Sequence, residues 1–497
     1  KISNNEDYVS NVLRYLRKEI KQEDENVERV LLCGLSAYTL NPINLRILAP
    51  SSTGKTYIIE KTSNVFPQEN IIKLASASAR SFQYAHGSEL VGENGEEIDT
   101  SKIKELQVKL TNATEKVEKK KIKAVIRSKK KLLEEQTWHV VDLSNKWIIF
   151  TDSQDSGLWN SLKSLLSHDS EQIKHQMTNK TGGSNKLQKV IFKGKPAVTY
   201  ASAKDENSVD VTGEIESRFQ TISLKASSEK YRQSMDLLGK KHGLGPFYEE
   251  EVSSKEELQS AKESVTKLIE NMNKYGKSEH PVIDPFSKKI SDIFPTDNGT
   301  RQREFDRLTQ IVTINTLCNA HIRPKIVVKG IEYPIVYLQD IHKAVRLMQS
   351  SLGIPSHKIQ FFNEYAKPAI QENGNKIHVG TIVKGLIASE ITDFYTEHKQ
   401  GIKTDRKKIL ETYLKPLVNY GFLESQQDPR DKTRSIFWIS SSYENKDAET
   451  ESTLIDVSTL DKACVESYLE EYLRRRLDEN KVKVIDIDGS PLTLEEL

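Results

Sequence analysis

The residues from Ile43 to Thr56, INLRILAPSSTGKT, combine side chains and spacing that suit phosphate chemistry. A short apolar run, Ile43, Leu45, Ile47 and Leu48, has the length of a fully buried strand. It stops at Pro50 and gives way to Ser51-Ser52-Thr53-Gly54-Lys55-Thr56, after which Tyr57-Ile58-Ile59-Glu60-Lys61 reads as the start of a helix. A small-residue loop between strand and helix aims backbone N–H groups and a positive helix end at one point, where anionic oxygens collect. In such a loop Lys55 would reach the β- and γ-phosphates of a nucleoside triphosphate, and the Thr56 hydroxyl would hold Mg²⁺. Pro50, Ser51, Ser52, Thr53 and Gly54 would form the rest of the cradle. Ala49 stands where the first glycine of such loops usually falls. A turn that merely spells Gly-Lys-Thr is the competing reading, and the strand and helix around it speak against that.

A nucleotide loop works with a carboxylate from another strand. Residues 140–152 read as an apolar strand ending in Asp152, whose carboxylate would hold Mg²⁺ through water. Where many such sites have a glutamate beside the aspartate to orient water, this chain has Ser153-Gln154-Asp155. Asp155 is the candidate for that role; the alternative is that it only caps the helix containing Leu158-Trp159-Asn160.

Further along, His175–Thr178 and Leu187–Phe192 flank a Gly182-Gly183 turn, the pattern of a β-hairpin with Lys180 and Lys186 near its tip. Residues 196–203 form another buried strand ending in small polar residues, Ser202 among them. Arg218 then precedes a strand over 220–224.

These residues need a scaffold, and the totals bound it. The 497 residues suggest about three domains. With 36% hydrophobic and 29% charged residues the composition is that of a soluble globular chain. Net charge is only +2, which excludes a polycation, but the charge is unevenly placed. Residues 102–131 hold 12 Lys and Arg against 3 Glu, whereas residues 441–497 hold 7 against 15 Asp and Glu. Cys33, Cys318 and Cys464 are odd in number and far apart, so neither a disulfide framework nor a zinc pair is readable. No run of 18 apolar residues and no signal peptide is visible, so no membrane partner and a cytoplasmic or nucleoid-associated location are expected. The chain begins at Lys1 rather than Met, which points to a missing N-terminal piece.

Five segments follow. Residues 1–42 form two helices, with Tyr8, Val12, Leu13 and Leu16 on one buried face. Residues 43–226 are the nucleotide core, interrupted by a basic helical insertion over about 99–136 with its break near Asn112 or Arg127, and by a hairpin over about 174–193. The insertion is either a solvated arm or a cationic one that touches a phosphate backbone. Residues 227–355 read as helices, at Ser228–Lys241, Lys255–Tyr275, Arg301–Ala320 and Leu338–Leu352.

Residues 356–440 change character. A helix over 386–398 is followed by one from Asp405 to Tyr420, capped by Thr404, with Arg406, Lys407 and Lys408 in its first turn. Its apolar face is Ile409, Leu410, Tyr413, Leu414, Leu417 and Val418. A β-hairpin with Arg430 and Lys432 near its turn completes a pattern that looks like a winged helix, whose second helix can enter the major groove of duplex DNA. Residues 441–497 read as an acidic linker and a C-terminal helix over 461–478.

The order of these motifs resembles the core of AAA+ P-loop ATPases. A hairpin inserted just before the sensor strand is similar to the branch that contains minichromosome-maintenance helicases. Closer still are helicase/primase-like ATPases encoded near mobile elements, which resemble LWNSLKSLLSHD, GKPAVTYASA and ESRFQTISLKASSEKYRQ in this chain. The resemblance covers roughly 43–235. It implies an α/β, three-layer AAA+ core with a helical insertion, an α-helical lid and a C-terminal winged-helix domain. It also implies a ring, as a hexamer, with ATP between subunits. Arg218 would be the finger reaching the neighbour's γ-phosphate, Ser202 (or Thr199) the sensor, and Arg303 or Arg307 the lid arginine. Lys180 and Lys186 would line the pore and grip single-stranded DNA. The expected activity is an ATP-dependent DNA helicase or translocase in replication of a mobile-element, viral or archaeal-like system. The alternatives are a nucleotide-gated initiator, loader or regulator that binds DNA without processive unwinding, and a P-loop regulator acting on proteins.

Overall fold

The computed structural model describes residues 7–49, 52–75, 89–92, 100–112, 116–152, 154, 156–181, 184–202, 215, 218–224, 227–252, 254–296, 300–349, 356–374, 384–398, 405–419, 422–428, 431, 434–440, 455–479 and 481–493. The chain divides into two units. One holds residues 1–76, 147–156 and 197–497, the other residues 77–146 and 157–196.

The strands described up to residue 223 are β1 (Leu45–Leu48), β2 (Ile71–Leu74), β3 (Glu89–Val91), β4 (Trp138–Asp142), β5 (Trp147–Phe150), β6 (Gln172–Thr181), β7 (Ser184–Lys193), β8 (Ala197–Ser202) and β9 (Gln220–Ser223). In the first unit five of them form a parallel sheet in the order β2-β5-β8-β1-β9. Parallel strands are covered on both faces, so they read as continuous apolar runs. β1, β5 and β8 are accordingly buried along their whole length. Each large side chain such as Trp147 or Phe150 contributes about 1.5–3 kcal/mol by leaving water.

Helices α1 (Tyr8–Glu19) and α2 (Asp24–Ser36) join the core of this sheet. Tyr8, Val12, Leu13 and Leu16 are buried as their spacing predicts. A Cβ at Gly34 of α2 would come within 2.9 Å of the Phe66 and Trp147 rings. Glycine there lets the helix lie close to the sheet. Helix α3 (Lys55–Ser63) follows the loop after β1.

The strand expected over 140–152 is two strands. β4 belongs to the second unit and β5 to the parallel sheet. Between them Asp142 accepts a hydrogen bond from the Ser144 amide at 2.8 Å and Asn145 has φ 59°, so polar residues that favour turns break the apolar run.

In the second unit the order is β3-β4-β7-β6. The hairpin β6–β7 is longer than the sequence patterning suggests, and its last pair is Thr181 with Ser184. Gly182 and Gly183, where the turn is expected, lie outside the described residues. Helices Ser101–Asn112 and Lys116–Gln136 pack on each other. Of the two expected breaks, the one near Asn112 matches; the second helix runs straight through Arg127.

The rest of the first unit follows the expected helices, found at Ser228–Leu244, Lys255–Tyr275, Thr300–Cys318 and Leu338–Gln349. A hairpin of β10 (Lys325–Val328) and β11 (Ile331–Pro334) was not legible among them. In the 356–440 region a helix runs through Ser356–Phe361, a π turn at Phe362–Ala366 and Lys367–Asn373. Then come β12 (Leu386–Ile387), the helix Ala388–His398, and a helix of Arg406–Ile409, a π turn at Leu410–Leu414 and Lys415–Asn419. β13 (Leu423–Gln427) and β14 (Ser435–Ile439) close a three-stranded sheet in the order β12-β14-β13. Ile409, Leu414 and Leu417 are buried in the core of this region, while Leu410, Tyr413 and Val418 pack against it partly buried.

The cap of the Arg406 helix is Asp405, accepting from the Lys407 amide at 3.0 Å; Thr404 lies outside the described residues. Most of the expected linker, 441–454, also lies outside them. The C-terminal helix is present, as Lys462–Tyr468, a π turn at Leu469–Leu473 and Arg474–Asp478. It leads into β15 (Val482–Ile485), which pairs antiparallel with β10 and so ties the tail back to the first unit. Val482 and Val484 alternate with Lys483, a period too short to stand out in an acidic segment.

Candidate nucleotide site

The loop after β1 bends through two left-handed residues, Ser52 at φ 64° and Gly54 at φ 92°. A Cβ at Gly54 would meet nothing within 4 Å, so the glycine serves the backbone angle rather than a close contact. Helix α3 starts at Lys55 with no side chain capping it. Its first N–H groups therefore keep their donor capacity for an anion. Lys55 donates from Nζ to the Ala49 carbonyl at 2.7 Å, folding back across the loop. Burial pushes its pKa down, a cost that a nearby phosphate oxygen would offset. Thr56 is exposed in the first turn, and Ser52 and Gly54 are exposed in the loop. Pro50 and Ser51 lie outside the described residues.

Thr53 is buried, and its carbonyl accepts from Lys230 Nζ at 3.0 Å. The same ammonium donates to Glu23 Oε1 at 2.6 Å, and both side chains are buried. Glu23 Oε2 accepts from Asn26 Nδ2, which also donates to the Ser223 carbonyl at 2.9 Å. The loop is thereby tied to the end of β9 and to the first turn of the Ser228 helix. Sequence reasoning missed Glu23 and Lys230. They are 207 positions apart, so no spacing pattern joins them.

The other side of the site is the C-terminal edge of the sheet. Leu48 pairs with Ser202 and Phe150 with Tyr200, and Asp152 follows two residues after β5 ends, at the same C-terminal end of the sheet. The Ala49 amide donates to the Ser202 carbonyl at 3.4 Å. Asp152 is exposed and Ser202 is buried. Thr199, the alternative to Ser202, is fully buried three residues back. There it accepts from Trp147 Nε1 at 2.9 Å and lies 3.3 Å from Cys33 Sγ.

Asp155 lies outside the described residues. Its neighbour Gln154 is buried and donates from Nε2 to the carbonyls of Asp152 at 2.7 Å and Ala75 at 3.0 Å. Gln154, which the sequence reading passed over, holds the backbone of Asp152 against the end of β2.

Arg218 is at the opposite edge. Its amide donates to the Ile215 carbonyl, and its own carbonyl accepts from Asn44 Nδ2 at 3.4 Å. It stands two residues before Gln220, the partner of Leu45 at the start of β1. The length of β1, about 10 Å, therefore separates it from the loop of its own chain. Lys55, Thr56, Asp152 and Ser202 share one edge of the sheet; Arg218 does not.

Lys180 and Lys186 occupy β6 and β7 within two pairs of the hairpin end. Arg406, Lys407 and Lys408 are exposed in the first turn of their helix, whereas Arg430 and Lys432 lie outside the described residues. Of the two lid arginines, Arg303 is exposed and Arg307 is half-buried, with its pKa pushed down to about 10 by burial.

The donor set fits ATP and Mg²⁺. Loop amides and Lys55 suit a polyphosphate, while the Thr56 hydroxyl and Asp152 carboxylate are hard oxygen ligands. Among the described residues no three His, Cys, Asp or Glu side chains cluster as a metal cage. A site with few protein ligands is the kind Mg²⁺ uses when phosphates complete its shell. No helix among the described residues is long and apolar enough to cross a membrane. No protein-family model matches this chain, and no curated protein matches it.

Proposed function

We propose that this chain is an ATP-driven DNA translocase of the AAA+ class, acting as a ring in DNA replication with helicase activity. The observation that carries the reading is the division of candidate residues between the two edges of the parallel sheet. Leu48 pairs with Ser202 at the C-terminal end of the sheet, where the loop to Lys55 and Thr56 begins and Asp152 follows β5, whereas Arg218 precedes β9 at the other end, more than the length of β1 away. An arginine so placed serves a neighbour's nucleotide rather than its own. Head-to-tail repetition of that contact closes a ring.

Lys55 and the loop amides would bind the phosphates, Thr56 and Asp152 would hold Mg²⁺, and Ser202 would sense the γ-phosphate. Mg²⁺ supplies positive charge against the phosphate oxygens. Arg218 of one subunit would neutralise charge developing at the next subunit's site, an effect on the order of 10³–10⁵ in rate. The β6–β7 hairpin and the helix–strand–helix–helix–hairpin order of residues 356–440 support a DNA partner. The first would be a pore hairpin gripping single strands, the second a winged helix with Arg406, Lys407 and Lys408 toward duplex.

ATP turnover with and without single-stranded DNA, and unwinding of forked DNA, test the proposal. DNA-stimulated turnover that Lys55→Ala abolishes is the expected result. Neither stimulation nor unwinding would overturn it.

One observation favours a second reading, a nucleotide-gated switch that assembles on duplex DNA without processive unwinding. The amide of Gln154, next but one to Asp152, is committed to two backbone carbonyls. Tight ATP binding with barely measurable turnover, DNA present or not, would select the switch.

A further inference from the structure

The helix Lys116–Gln136 carries a face that the nucleotide site does not use. At about 100° per residue, Lys119, Lys120, Lys123, Arg127 and Lys130 fall within an arc of about 100°. All five are exposed, and none forms an ion pair among the described residues. From 119 to 130 the sequence has no acidic residue. Among the described side chains of this helix Ile126 alone is buried, on the neighbouring arc.

Along the axis the five cations span about 16 Å, or about one charge per 4 Å. Each strand of duplex DNA carries one phosphate per 3.4 Å or so of the duplex axis, a comparable linear charge density. The match is between a stiff rod of positive charge and a stiff row of negative charge. Neither helix of the insertion, 101–112 or 116–136, contains Phe, Tyr, Trp or His. Unstacked bases of a single strand would find no ring to stack on. We propose that this face grips the phosphate backbone of duplex DNA without reading its sequence, a contact that does not depend on the nucleotide loop.

An anionic membrane is the competing partner, and the placement of apolar residues disfavours it. Val117, Val125 and Leu132 are exposed on this helix, but roughly opposite the cations. A helix lying in a lipid surface needs its apolar face downward with cations flanking it. Here the five cations would point away from the lipid, and Lys121 falls between the apolar residues rather than beside them.

The test uses the full chain and a labelled duplex of random sequence, with affinity followed against salt. Replacing Lys119, Lys120, Lys123, Arg127 and Lys130 together by Gln should lower the log–log salt slope by about 4.5, since each phosphate contact contributes about 0.9. Replacing the four lysines by Arg should leave the slope unchanged, and both variants should keep the circular dichroism of the parent. Lys55→Ala should show the parental slope, which separates this contact from the nucleotide reading. An unchanged slope in the Gln variant overturns the inference. So does a loss confined to phosphatidylserine vesicles with duplex binding intact.

Discussion

Lys230 holds the phosphate loop from below, its ammonium 3.0 Å from the Thr53 carbonyl while Glu23 holds the same ammonium at 2.6 Å. A carbonyl secured on the inner side of the loop leaves the amides on its outer side oriented for a ligand. The bond runs from the helix after β9 to the loop after β1, so that loop and that helix are mechanically joined.

Lys230→Met is therefore expected to act twice. It strands a buried carboxylate at Glu23, costing about 3 kcal/mol in urea denaturation. Adding Glu23→Gln should recover most of that stability. The double variant should still bind a fluorescent ATP analogue about tenfold more weakly, because the Thr53 tie is gone. Parental affinity in the double variant would show that the tie does not position the loop.

Arg218→Ala should bind nucleotide like the parent and lose on the order of 10³ in turnover. Lys55→Ala should lose binding. Mixing the two inactive proteins is the informative experiment. Shared sites pair an intact Lys55 on one subunit with an intact Arg218 on its neighbour, so the mixture should regain turnover. A mixture as inactive as its components would argue against a site shared between subunits.

Gln154→Ala removes two part-buried hydrogen bonds, those to the carbonyls of Ala75 and Asp152. A stability loss of about 1–3 kcal/mol is expected. Because Asp152 would hold Mg²⁺ rather than the base or sugar, the variant should lose turnover and need more Mg²⁺, with ATP affinity nearly unchanged. A Mg²⁺ titration coinciding with that of the parent would count against the role given to Asp152.

Asp284 is a half-buried carboxyl whose pKa is pushed up to about 6, chiefly by desolvation, against the 3.8 of an exposed one. The folded state therefore holds this proton more tightly than the unfolded state. The stability it contributes is present below pH 4 or so and is lost as pH rises through about 6, a difference of about 3 kcal/mol. Asp284→Asn should remove that slope from urea denaturation curves taken across this range. An unchanged slope would mean that other groups set it.

What the sequence determined by itself was local. The apolar runs of β1, β5 and β8 were legible because buried parallel strands need no alternation. The loop with Gly54-Lys55-Thr56, the β6–β7 hairpin and the amphipathic helices were legible because each is encoded within a few neighbouring residues. Tertiary structure decided the rest. The order β2-β5-β8-β1-β9 brings Ser202 beside Leu48 at the end of β1, and leaves Thr199 beside Leu45 at its start. It also sends Arg218 to the far edge. The Glu23–Lys230–Thr53 link, the split of the 140–152 run into β4 and β5, and the return of β15 onto β10 depend on contacts between distant segments. Polar partners such as these are chosen by burial: a charge or carbonyl removed from water must find its counterpart wherever the chain brings one. No local pattern records that choice.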